Sequence, residues 1–125
     1  MSDPTTAPAK RAEPTVKTKE EFDALMAQAK GPVLVDFIQP DCGPCIDETG
    51  HFQALAAACV GGPATVMRVD VTEGFGRELG EKLEVEGTPT ALFAESAEAF
   101  HAGKTRELSD LTSTAARRKL KCSVK

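Results

Sequence analysis

Residues 33–45 read Val33-Leu34-Val35-Asp36-Phe37-Ile38-Gln39-Pro40-Asp41-Cys42-Gly43-Pro44-Cys45, an apolar run that leads through a proline into two closely spaced cysteines. The first six residues are almost continuously apolar and rich in β-branched side chains. That pattern predicts a strand buried on both faces, in the middle of a sheet covered by helices. Asp36 is the anomaly in it. Gly43 permits a tight turn, and Pro44 at a first helical turn gives up no hydrogen bond, so a helix is expected from about Gly43 to about Val60. Its apolar stripe is Phe52, Leu55, Ala56 and Cys59, and Gly61-Gly62-Pro63 stops it. Cys42 then falls at the mouth of the helix, where free N–H groups and the helix dipole favour a thiolate. Cys45 lies one turn deeper, near enough to close a small disulfide ring.

Upstream, Thr18 and Glu21 form a capping-box pattern, followed by Phe22, Leu25, Met26 and Ala29 at helical spacing and a stop at Gly31-Pro32. Downstream, residues 64–71 (ATVMRVDV) predict a second buried strand, parallel to the first through a right-handed crossover. Thr72 is a candidate cap for a third helix with Phe75, Leu79 and Leu83 facing inward, weakened by Gly74, Gly76 and Gly80. Gly87-Thr88-Pro89 is a turn into a strand over 90–94. A further strand is expected within 100–108, and a last helix near 111–121, capped by Ser109 or Asp110. No turn can be placed within 95–102. The order predicts an α/β sandwich with a mixed sheet. Residues 1–14, rich in Pro, Thr and Ala and without apolar periodicity, predict a disordered tail, leaving 15–125 as the domain.

The chain has 125 residues and 13.2 kDa, enough for one core but not two. With 41% hydrophobic and 27% charged residues it fits neither a disordered nor a membrane protein. No apolar run approaches the roughly 18 residues that cross a bilayer. A formal charge of -4 and a pI near 5.2 argue against nucleic acid as the main partner. The basic cluster Arg117, Arg118, Lys119, Lys121 and Lys125 reads instead as a helix end complementing its dipole. The absence of Trp and Tyr leaves few platforms for stacking bases. The start of the chain lacks the apolar stretch of a secretory signal, so a cytoplasmic location is expected.

The four cysteines, Cys42, Cys45, Cys59 and Cys122, are too few and too uneven for a disulfide-stapled secreted scaffold. Cys59 reads as a small hydrophobe of the helix core. Cys122 reads as an incidental thiol in an exposed basic tail, with glutathione or an intermolecular disulfide as its alternative. The Cys42–Cys45 pair fits a two-step exchange, in which the Cys42 thiolate attacks a disulfide and Cys45 resolves the mixed disulfide. The competing reading is half of a zinc site. No second C-x-x-C or H-x-x-x-H accompanies it, and Cys59, Cys122, His51 and His101 show no ligand spacing, so no metal is expected.

Three separated matches, Val35-Asp36-Phe37, Cys42-Gly43-Pro44-Cys45 and Thr88-Pro89-Thr90, give the chain a resemblance to the thioredoxin family over about residues 15–121. The resemblance implies the thioredoxin fold, a central mixed sheet flanked by helices on both faces. It implies a monomeric protein-disulfide reductase with no bound cofactor, working through a redox-active Cys42–Cys45 disulfide. Its partners would be disulfide-containing protein substrates and an NADPH-dependent thioredoxin reductase, with no nucleic acid and no membrane. Asp36 would be the buried proton relay that activates Cys45, its pKa raised by burial. Pro89 matches the family's cis-proline facing the cysteines, and Thr88 would pair with substrate like an added strand. In the family a lysine lies near the aspartate. The matching position here is Arg68, whose charge cannot be removed, so the pairing is expected to differ. Two alternatives stand beside this reading: a partner-binding module with little turnover, and an exported thiol–disulfide reductase.

The active-site loop, Asp41, Gly43 and Pro44 around the cysteines, departs from the family pattern. Asp41 and Ile38 stand where thioredoxins usually carry tryptophan, and Ile46 replaces a common basic residue. Asp47 and Glu48 follow, Gly50 replaces a helix-kinking proline, and Ser109 stands where a groove glycine is usual. Asp41, joined by Asp47 and Glu48 at the rim, is expected to raise the Cys42 pKa above the roughly 7 of thioredoxin. The same charges make the pair at least as reducing as about −270 mV and favour basic substrates.

Overall fold

The computed structural model describes residues 15–122. The tail expected over 1–14 lies outside the described residues. Ten elements follow in order: β1 (Thr15–Val16), α1 (Lys19–Gln28), β2 (Val33–Ile38), α2 (Gly43–Cys59), β3 (Thr65–Asp70), α3 (Gly74–Lys82), β4 (Thr90–Ala94), α4 (Ala97–His101), β5 (Arg106–Leu108) and α5 (Thr114–Leu120). The sheet order is β1-β3-β2-β4-β5. β3 runs parallel to β1 and β2, whereas β4 is antiparallel to β2 and β5, so the sheet is mixed as expected.

β2 sits at the centre because both its faces are apolar. Val33, Val35 and Phe37 join Val16, Phe22, Met26, Met67, Val69 and Phe100 on one face. Leu34 points the other way, into a second cluster with Phe52, Leu55, Ala56, Val66, Phe93 and Leu120. Helices therefore cover both faces, α2 and α5 on the second. Asp36 shares the period-two face of Leu34 and is carried beneath α2.

The capping box of α1 forms: Thr18 Oγ1 accepts from Glu21 N–H at 3.1 Å while Glu21 reaches back to the Thr18 N–H. Pro44 occupies the first turn of α2, as its missing N–H allows. Several boundaries differ from the expectation. β1 adds a two-residue edge strand, too short for any sequence periodicity. The stretch without a placeable turn is α4, capped by Ser96, whose Oγ accepts from Ala99 N–H at 3.0 Å. The caps differ too: Thr72 bonds to Asp70 instead of starting α3, and Ser113, not Ser109 or Asp110, caps α5. The glycines of α3 have a packing reason. Gly76 is buried, and a Cβ there would collide with the carbonyl oxygen of Asp70, so only glycine lets α3 lie this close to the end of β3.

The largest correction concerns Cys59 and Cys122, which form a disulfide with their Cα atoms 4.6 Å apart. Cys122 is buried rather than exposed. Lys121 ends α5 in the left-handed conformation (φ 59°), and the Cys122 N–H donates to the Arg117 carbonyl at 2.9 Å. That turn folds the chain back onto the C-terminal end of α2, where Cys59 waits. No local pattern in either segment encodes the meeting, because it depends on α2 and α5 packing side by side on one sheet face.

Candidate functional site

Cys42 is the N-cap of α2, and its Sγ accepts the Cys45 N–H at 3.1 Å. One of the free helix-end donors is thus aimed at the sulfur, which also sits at the positive end of the helix dipole. Cys42 is half-buried and Cys45 buried, and the two are joined as a disulfide with their Cα atoms 5.2 Å apart. Asp41, Gly43 and Pro44 are all exposed.

The Thr88–Pro89 peptide is cis, and the Thr88 carbonyl oxygen lies 3.5 Å from Cys42 Sγ. The loop that is 46 residues away in sequence therefore faces the sulfur pair. Strand pairing places it: β4 runs antiparallel to β2 with Phe37 opposite Thr90, so the residues just before β4 emerge beside those just after β2.

Behind the cysteines lies a polar cluster that sequence reasoning saw only in part. Asp36 is fully buried, and Arg68 stands opposite it in the parallel register of β2 and β3. Arg68 Nε donates to Asp36 Oδ2 at 3.1 Å. The rest of the guanidinium fans out beneath α2: Nη1 to Thr49 Oγ1 at 3.0 Å, Nη2 to the Cys45 carbonyl at 3.1 Å and to Glu48 Oε1 at 3.2 Å. Its carbon also sits 5.1 Å from the centre of the Phe52 ring. The fork of arginine serves five partners at once, which a lysine could not do. The changed pairing expected at Arg68 takes this form.

Glu48 corrects the expectation of an acidic rim. It turns inward to Arg68 and leaves Asp41 and Asp47 as the exposed acids beside the pair. Its position three residues past Cys45, on the same side of the helix, was the available signal. Burial pushes Asp36 up to about 8, helped by hydrogen bonding with Glu48 and by the Glu48 charge, while Arg68 pulls the other way. Asp36 Oδ1 is buried without a hydrogen-bond partner among the described residues.

A sequence profile of the thioredoxin family matches residues 13–117. The chain belongs to the thioredoxin family. Similar curated proteins include the protein disulfide-isomerase tigA of Aspergillus niger, 36% identical over 73 residues, covering 57% of this chain and 20% of that protein. Another is the chloroplastic thioredoxin-like protein CITRX of rice, 31% identical over 78 residues, covering 62% of this chain and 40% of that protein. The matched stretch thus spans less than half of either relative. Among solved structures, oxidised thioredoxin O2 of Arabidopsis thaliana superposes with a TM-score of 0.65 at 21% identity, over 89% of this chain and 96% of that one. Mitochondrial thioredoxin 3 of Saccharomyces cerevisiae gives 0.63 at 22% identity, over 88% and 94%. The fold is the thioredoxin fold, and the Cys42–Cys45 pair of this thioredoxin-family chain is consistent with a C-x-x-C active site.

No group of three or more His, Cys, Asp or Glu that could hold a metal ion occurs among the described residues. No helix among them is long and apolar enough to cross a membrane.

Proposed function

We propose that this thioredoxin-family protein reduces protein disulfides by dithiol–disulfide exchange. One observation carries the reading: Cys42 Sγ sits at the helix mouth, with the Cys45 N–H at 3.1 Å on one side and the Thr88 carbonyl at 3.5 Å on the other. A substrate strand laid along Thr88 brings its own sulfur into line with Cys42. The Cys42 thiolate attacks, one substrate sulfur leaves as a thiolate that takes a proton from water, and a mixed disulfide remains. Cys45 then gives its proton to Asp36 and bonds to Cys42 Sγ, and the second substrate sulfur departs. The buried Asp36, with its raised pKa, is suited to hold that proton near neutral pH.

On the cytoplasmic reading the pair returns to the dithiol by taking electrons from an NADPH-dependent thioredoxin reductase, and on either reading the protein works as a monomer without a bound cofactor. At the rim, Ile46 is 60% exposed beside the acidic Asp41 and Asp47. These side chains favour substrates that present apolar and basic residues next to their disulfide. Insulin reduction with dithiothreitol tests the proposal: the protein accelerates it and Cys42→Ser does not. Partner binding that survives Cys42→Ser undiminished, with no turnover by the wild type, would establish the binding-module alternative instead.

The compartment turns on the second disulfide. Cytoplasmic thiols are kept reduced, whereas buried disulfides persist where the surroundings oxidise. Cys59–Cys122 therefore favours the exported-reductase alternative over the cytoplasmic location expected from the N-terminus. Alkylation of cells before lysis separates the two: a protected Cys59–Cys122 pair supports export, and two alkylated thiols support the cytoplasm.

A further inference from the structure

We propose that Glu48 is a positioning residue for the resolving step, forming with Asp36 a carboxyl pair that shares one proton and gives the buried relay its outlet to water. The inference rests on the reading of Asp36 as the relay. Arg68 bridges the two carboxyl groups, Nε to Asp36 at 3.1 Å and Nη2 to Glu48 at 3.2 Å. The guanidinium supplies one permanent positive charge against two acids. Its own side chain is 4% exposed and that of Asp36 is 0% exposed, so a second uncompensated negative charge here would be costly. One positive charge, one carboxylate and one carboxylic acid make the cluster neutral.

Asp36 has no exit of its own. The Glu48 side chain is 20% exposed and sits at the first turns of α2, so it touches both the buried cluster and solvent. Among the described residues, the groups placed against Asp36 are Arg68 from β3, Glu48 from α2 and, from β4, the uncharged Ala91 directly opposite. Asp36 Oδ1 has no hydrogen-bond partner among the described residues. In the resolving step the shared proton shifts from Asp36 to Glu48 while the Cys45 S–H proton passes to Asp36, the Cys45–Cys42 bond forms and the Cys42–substrate bond breaks. The pair would then hold two protons, and Glu48 releases one to water. The departing substrate thiolate takes one from water, so protons balance.

The raised pKa of Asp36 agrees with this arrangement, since both the Glu48 hydrogen bond and its charge act upward. The test is the carboxyl carbon-13 titration of the oxidised full-length protein. In the wild type the Glu48 resonance carries an inflection at the Asp36 midpoint, as coupled sites require. In Glu48→Gln the Asp36 midpoint falls by about one pH unit or more, because a neighbouring negative charge is gone and an amide N–H donates in its place. The rising limb of the pH profile for mixed-disulfide resolution moves down with it. An Asp36 midpoint unmoved in Glu48→Gln, or a Glu48 resonance blind to Asp36 in the wild type, would overturn the pairing. Because the titration reads no turnover, it stands or falls separately from insulin reduction.

Discussion

Helix α2 carries a disulfide at each end. At its mouth Cys42–Cys45 closes a ring across a sequence separation of 3, with Cys42 half-buried and the exposed Asp41, Gly43 and Pro44 around it. At its far end Cys59–Cys122 spans a separation of 63, and both residues are buried. The same bond thus does two jobs. Cross-linking a long loop removes much entropy from the unfolded chain, about 4 kcal/mol for the 63-residue span against about 2 kcal/mol for the short ring. The mouth adds a helix-end N–H donor and the facing Thr88-Pro89 loop. The far end has a C-terminal dipole, which disfavours a thiolate, and its apolar surroundings do the same. On the proposed function one pair exchanges and the other holds.

The contrast can be broken most sharply by exchanging serine into each pair. Cys42→Ser is expected to drop insulin reduction to the background rate while losing only about 2 kcal/mol of stability. Cys122→Ser is expected to do the reverse, losing about 4 kcal/mol in denaturant unfolding while retaining turnover at temperatures where it stays folded. Comparable loss of turnover in both variants would erase the distinction between exchanging and holding.

Asp36 sharpens the comparison next, since among the described residues the buried acid lies behind the mouth. Asp36→Asn should slow mixed-disulfide resolution at neutral pH by about 100-fold, read by stopped-flow in single turnover. The same variant should alter the pH dependence of stability. A carboxyl raised from 3.8 to about 8 on folding takes up a proton between those values. Its contribution is therefore most favourable at the acid end of that window and is lost as pH rises towards 8. Urea midpoints of the wild type should fall over that window relative to Asp36→Asn, and the variant should be the more stable at its upper end.

The smallest expected effect is at the rim. Asp41→Asn removes a like charge beside Cys42 and should lower its thiolate pKa in low salt, followed by absorbance near 240 nm. The wild-type pKa should lie above roughly 7, and a value near 5 would remove the rim charge from the account.

What could be read along the chain was what short-range rules encode. The Val33–Ile38 run declared a central strand, Pro44 and the glycine beside it declared a helix mouth, and Thr18 with Glu21 declared a cap. The cysteine spacing pointed to dithiol–disulfide exchange only in company with Val35-Asp36-Phe37 and Thr88-Pro89-Thr90, since a lone C-x-x-C also suits half of a zinc site. Even the facing Thr88-Pro89 turn was legible through its likeness to a known pattern. The short edge strand β1 and the brief helix α4 were not, since two to five residues give no periodicity to detect.

Sequence alone thus determined the strand–cysteine–helix unit and with it the expectation of dithiol–disulfide exchange. Tertiary structure decided the rest. Asp36 meets Arg68 only because β2 and β3 pair in one particular register, and Glu48 joins them only because α2 lies across that pair. Cys59 finds Cys122 only because α5 docks beside α2 and Lys121 turns the chain back. Each is a contact between residues far apart in sequence, fixed by packing of whole elements rather than by the propensities of the residues that meet.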